Sequence, residues 1–284
     1  MTNVKCIRCD TINFVADEVC RACGVELLQP LRHAETRPSA DSSDPTAETI
    51  DSIPPFYGVG DVLGPTLSLF GKNLWLIIKI VFVVVAPYEI FKSLSIGQLQ
   101  TDWALSIGLF FLQLLCGVLI APALIYALMK VLVTGKAPGI GESYRWGFSK
   151  LGKLILCAAI SWLLAALGTL LFIIPGIIIA VVLSLVYPVG VLENHSVSET
   201  LRRSRELTRG YRLRIFFGGI VISLISAVIS IPISLVLREN GSVWQLNVLH
   251  GIVSDTLEQL TTVFCLVVYL SILRTLERGQ SVLK

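Results

Sequence analysis

The sequence predicts an all-α polytopic membrane protein with about six transmembrane helices, arranged as three hairpins with interfacial helices, plus a small N-terminal zinc ribbon. Three observations predict it. The 284 residues are 54% hydrophobic and 15% charged, against about 25% charged in typical soluble domains, and the mean hydropathy is +0.76. Sixteen charged side chains lie in the first 72 residues and only 27 in the remaining 212, too few to dress a soluble surface. Four of the seven cysteines fall within the first 23 residues. The same distribution excludes a sizeable soluble catalytic domain, because no polar stretch is longer than the first 72 residues.

Residues 1–28 read as the ribbon. The pattern is Cys6-x2-Cys9-x10-Cys20-x2-Cys23, and each Cys-x2-Cys turn aims two thiolates at one point, so that two turns complete the tetrahedron Zn²⁺ prefers. Gly24 suits the left-handed residue such a turn often needs. A disulfide framework would require an oxidising compartment, and nothing before Cys6 resembles a secretory signal. So short a segment builds no core, and the metal is expected to supply its folding energy. Four protein ligands leave no open position, which makes the expected zinc structural. Lys5, Arg8 and Arg21 are outnumbered by Asp10, Asp17, Glu18 and Glu26, and Zn²⁺ with four thiolates adds further negative charge. Nucleic-acid phosphate wants the opposite sign, so a protein partner is the expected contact. Cys116, Cys157 and Cys265 sit singly in apolar runs and read as small buried hydrophobes.

Residues 29–60 read as a disordered linker, rich in Pro, Ser, Thr and acidic residues and too poor in apolar surface to offset its ordering entropy. The membrane domain follows at 61–284. Apolar runs at about 74–93, 104–129, 154–174, 177–192, 213–237 and 252–273 each approach the ~20 residues a span requires. The third and fourth are separated only by Pro175-Gly176, read as a hairpin turn with a broken helix as the alternative. Lys and Arg number five in 130–153, six in 193–214 and three in the tail, while the other side has Lys92 and Arg238. The positive-inside rule then puts both termini on the cytoplasmic side, the reducing side a thiolate site needs.

Each odd-numbered span is preceded by an amphipathic segment, which suggests a threefold repeat. Leu63, Leu67 and Phe70 precede span 1, Tyr144, Phe148 and Leu151 precede span 3, and Val197, Leu201 and Ser204 precede span 5, all at i, i+4, i+7. In the last, Ser196 and Glu199 form a capping box. Arg202, Arg203, Arg205 and Arg209 are expected on its polar face, against anionic lipid.

The run IIPGIIIAVVLSLVYPVGVLENHSVSETLRRSRELTRGYRLRIFF, with Phe70-Gly71-Lys72-Asn73-Leu74-Trp75 before it and Tyr269 and Arg274 after it, resembles a large bacterial membrane family. That family includes the membrane domain attached to some glycerophosphoryl diester phosphodiesterases and the YciC-like inner-membrane proteins. The resemblance covers roughly residues 60–278 and implies a membrane fold in the bacterial cytoplasmic (inner) membrane. It implies no phosphodiesterase activity, since the catalytic barrel of the fused members has no counterpart in this chain.

No phosphate-binding loop, nucleophile elbow or His-Glu-x-x-His motif is present. The ionisable groups at membrane depth are Lys79, Glu89, Asp255 and Glu258. Lys79 lies close enough to the end of span 1 to snorkel. Asp255 and Glu258 share a helix face and, with Glu89, form either an intramembrane polar site or the polar start of span 6. These features lead to the expectation of a non-enzymatic scaffold or adaptor in contact with membrane lipid, its ribbon or membrane domain meeting a protein partner. The alternative is a transporter or lipid-handling protein.

Overall fold

The computed structural model describes residues 3–5, 12–14, 53–95, 102–239 and 244–282. Cys6, Cys9, Cys20 and Cys23 and most of the linker lie outside the described residues. Near the N-terminus, β1 (Asn3–Lys5) pairs antiparallel with β2 (Ile12–Phe14) in the register Asn3 to Phe14 and Lys5 to Ile12.

All else among the described residues is helix and short connection. The helices are α1 (Val59–Lys72), α2 (Leu74–Leu94), α3 (Trp103–Thr134), α4 (Ile140–Leu171), α5 (Ile173–Val182), α6 (Val186–Leu192), α7 (Val197–Leu207), α8 (Arg212–Glu239) and α9 (Trp244–Val282). Six apolar stretches are long enough to cross a bilayer, α5 and α6 together making the fourth, as in a multi-pass membrane protein. They pair as α2/α3, α4/α5–α6 and α8/α9. Two-thirds (67%) of the apolar window of α9 is buried, against 17% in α8, so α9 is the central helix. It packs against α1, α2, α3, α6 and α8.

The second hairpin turns at one residue. Phe172 is extended (φ −157°, ψ 144°) between α4 and α5, so the reversal falls three residues before the expected Pro175-Gly176 step. Those two residues occupy the first turn of α5, where proline is tolerated because its missing N–H has no helical partner there. Gly176 explains the closeness of the arms. A Cβ on it would lie 2.0 Å from Thr169 Oγ1 and 2.6 Å from Thr169 N. The tip is apolar and bare: Leu170, Leu171, Phe172, Ile173 and Ile174 are all exposed, Leu170 to 82%.

The amphipathic segments depart from expectation in two ways. The second is no separate helix but the opening of α4, clamped between neighbours: Tyr144 Oη donates to Ile80 O on α2 (2.5 Å), Gly147 meets the α3 backbone at Ala123, and Trp146 stacks on Tyr126 at 4.8 Å. The buried faces also overlap the predicted ones only in part. Tyr144 and Ser204 are buried, and Leu63, Phe70 and Leu151 pack against the core, but Val62, Thr66 and Leu69 in α1 and Thr200 and Leu207 in α7 are buried as well, whereas Leu67 and Phe148 are exposed. In a membrane the exposed surface is itself apolar, and small or hydroxyl side chains let helices approach closely.

Residues 53–58, expected within the linker, are packed. Phe56 is buried and stacks on Tyr211 (5.3 Å), its N–H donates to Thr275 Oγ1 (2.9 Å), and the Arg274 guanidinium donates to Ile53 O. The start of the membrane body is thus tied to the far end of α9.

Candidate functional site

Two polar clusters stand out in this apolar body. The first, at the basic end, is organised by Glu193, which follows α6. Its Oε1 accepts from the Tyr269 hydroxyl of α9 (2.8 Å), and its Oε2 faces His195 Nε2 (2.8 Å) and Arg203 Nε of α7 (3.3 Å). Lys153 of α4 donates to the carbonyls of Glu193 (3.3 Å) and His195 (3.1 Å). One carboxylate therefore fastens α6, α7 and α9 together, with α4 held to the same turn. Arg203 makes this contact while 36% of its side chain stays exposed. Arg202, Arg205 and Arg209 are exposed, with Arg202 3.6 Å from Glu206. The capping box that opens α7 is present, with Ser196 N donating to Glu199 Oε2 (2.9 Å) and Glu199 N to Ser196 Oγ (3.4 Å). The Ser196 N–H and hydroxyl hold the Glu199 carboxyl below its ordinary pKa.

The second cluster lies within the spans. Between α5 and α6 the helix is interrupted at Leu183–Leu185, which frees backbone carbonyls at membrane depth, where each unsatisfied group costs several kcal/mol. The carbonyl of Val182 accepts from Ser204 Oγ (2.9 Å) and Thr208 Oγ1 (3.4 Å) of the α7 region. Gly210, at φ +90°, is a left-handed position that favours glycine and turns the chain from there into α8.

The interruption borders a half-open cavity of about 480 Å³ between α3, α4, α5–α6 and α9. That volume falls in the roughly 300–1,000 Å³ range of small-molecule sites. Its walls are mainly apolar, with Trp162 and Tyr187 among them, and its polar groups include Gln113, Ser184, Asp255, Glu258 and Gln259. Gln113 Nε2 donates to Asp255 Oδ1 (3.1 Å). Asp255 Oδ2 and Gln113 Oε1 are buried without a hydrogen-bond partner among the described residues.

Asp255 and Glu258 thus line one cavity, as their shared helix face implies. Glu89 is not one of its lining residues. It is 2% exposed, ion-paired with Lys92 and pressed against Gly251, where a Cβ would meet its Cδ at 2.2 Å. Lys79 is exposed, with its ammonium 5.3 Å from the Trp75 ring. Cys116 and Cys157 are buried free thiols, and Cys265 is half-buried. Among the described residues no group of three His, Cys, Asp or Glu side chains is placed to hold a metal ion. Gln113 escaped the sequence reading because a lone neutral amide in a long apolar run carries no charge signal. Glu193 and Tyr269 were visible only as parts of a resemblance.

No protein-family model matches this chain, and no curated protein or solved structure is found to be similar to it.

Proposed function

We propose that this is a multi-pass membrane protein that binds an organic ligand inside its helical body, as a transporter or lipid-handling protein does. The observation that carries the reading is Asp255: a carboxylate 9% exposed, with one oxygen unpaired, at a cavity bordered by a broken span. Burying a carboxylate oxygen without a partner is costly, and a packing role would be filled better by an apolar side chain. Discontinuous helices beside a mid-membrane cavity are the usual construction of transporter sites. Cys116, Ser161 and Ser184 share the cavity with the two carboxylates, but among the described residues none is hydrogen-bonded to Asp255 or Glu258, which favours binding over catalysis.

A second reading, a scaffold or adaptor, draws support from the β1–β2 hairpin. In the sequence Cys6 and Cys9 fall between these two strands, and cysteines at this spacing are of the kind that ligate structural zinc. In this reading Cys6, Cys9, Cys20 and Cys23 hold a structural Zn²⁺, and the ribbon meets a protein partner. The two readings are compatible, with a cytoplasmic ribbon beside an inner-membrane ligand site. Both agree with the resemblance to the phosphodiesterase membrane domain and YciC-like family.

Native mass spectrometry of the full chain from mild detergent tests both. Expected are a mass increment of one Zn²⁺, lost in Cys20→Ser, and a small organic adduct released at higher collision energy and depleted in Asp255→Asn. Wild-type protein with no organic adduct in any detergent that keeps it folded defeats the ligand reading. Protein without zinc defeats the ribbon.

A further inference from the structure

Resting on the ligand-binding reading, we infer that the cavity takes a primary ammonium group, with Asp255, Glu258 and Gln113 as its acceptors and the apolar wall holding the attached carbon chain. Charge is the first argument. Asp255 and Glu258 line the cavity, and no Lys, Arg or His does; Lys92, the nearby cation on α2, is taken by Glu89. A low-dielectric space with carboxylates of one sign calls for a cation.

Hydrogen-bond direction narrows the class. Gln113 spends an N–H on Asp255 Oδ1, which leaves its own Oε1 and Asp255 Oδ2 as buried acceptors without donors. Two buried acceptors on hydrogen-bonded neighbours are satisfied by N–H groups, of which a primary ammonium brings three and a quaternary ammonium none. Trp162 and Tyr187 are in the same wall, and aromatic rings are favourable to a cation and to the methylenes beside it. The space is also far larger than an ion, and the described residues provide no three-ligand metal group there.

An ammonium of this kind could arrive on a lipid headgroup or on a soluble alkylamine. Full-length protein in nanodiscs containing equal phosphatidylethanolamine and phosphatidylcholine, on an anionic background, should retain the first over the second by about tenfold after extraction into detergent. Asp255→Asn and, separately, the exposed Glu258→Gln should each reduce that preference. Hexylamine should displace the retained lipid, while hexyltrimethylammonium and hexanol should not. Binding of hexylamine without any phosphatidylethanolamine preference supports the ammonium site and assigns a soluble source. Equal retention of the two lipids with no hexylamine binding overturns the proposal. So does an undiminished preference in both variants, provided their unfolding temperatures match wild type. Retention of a neutral or anionic molecule that Asp255→Asn abolishes overturns the ammonium assignment while leaving the ligand-binding reading standing. Sodium stabilisation alone, without amine binding, overturns it in favour of a metal ion.

Discussion

Tyr269 shows how much a single side chain can hold in this fold. It is 1% exposed near the basic end of the central helix, and its hydroxyl donates to Glu193 Oε1. Removing the hydroxyl keeps the ring and strands a carboxylate oxygen, a loss of about 1–3 kcal/mol. Tyr269→Phe in detergent should therefore lower the unfolding temperature clearly, whereas Arg202→Gln, at an exposed position outside this network, should change it little. Equal thermal stability of Tyr269→Phe and wild type would remove Glu193 from its fastening role. At this scale the sequence was legible where charge was involved and opaque where it was not. Asp255 announces itself in an apolar run; Gln113, on which its geometry depends, is 142 positions away and neutral. Arg203 reads like its neighbours because only the position of Glu193, not its own residue type, sets it apart.

Among the elements, the spans were legible because about twenty apolar residues have few other uses. The break in the fourth was legible only in part. Leu183-Ser184-Leu185 contains neither proline nor glycine, but Pro188 has no N–H to give the Ser184 carbonyl four residues back and its ring crowds that carbonyl, while the hydroxyls of Ser204 and Thr208, invisible in the local sequence, take the carbonyl of Val182. The amphipathic faces were displaced in part because the usual rule takes large apolar residues as buried, yet beside lipid Leu67 and Phe148 face outward, while the hydroxyl residues Thr66, Thr200 and Ser204 face in with Leu69 and Leu207. The tight second hairpin yields the sharpest expectation at this scale. Gly176→Val should force its arms apart, since the added Cβ would fall on Thr169. Overpacking of this kind costs about 1–3 kcal/mol, measurable as a lower unfolding temperature and increased protease cleavage near residues 170–176. Gly60→Val, where a Cβ meets nothing within 4 Å, is the matched control. Unchanged stability of Gly176→Val would mean that the arms are not held in contact.

The whole molecule poses the question of which side faces which. The basic residues collect where α3 meets α4 and where α6 leads through α7 to α8, so that end should be cytoplasmic. Single cysteines in a cysteine-free background, probed on intact cells with a membrane-impermeant maleimide, should react at Trp103→Cys and stay silent at Arg145→Cys. The tip of the second hairpin has no polar residue between Leu170 and Ile174. Phe172→Cys should accordingly resist the impermeant reagent and react with a lipid-soluble one. Labelling of Arg145→Cys from outside would reverse the orientation, and labelling of Phe172→Cys by the impermeant reagent would bring the tip into water.

The central position of α9 has a consequence in time. Synthesis proceeds from the N-terminus, so this helix leaves the ribosome after every other described helix, and the earlier spans must wait in the bilayer without the partner around which they close. Insertion and assembly are then separate events. Until α9 arrives, the Phe56 N–H lacks Thr275, Ile53 lacks Arg274, and α1 lacks its main packing partner, with only Tyr211, α2 and α8 to rest on. A nascent chain halted short of that helix should therefore be inserted yet more open to protease than the full chain.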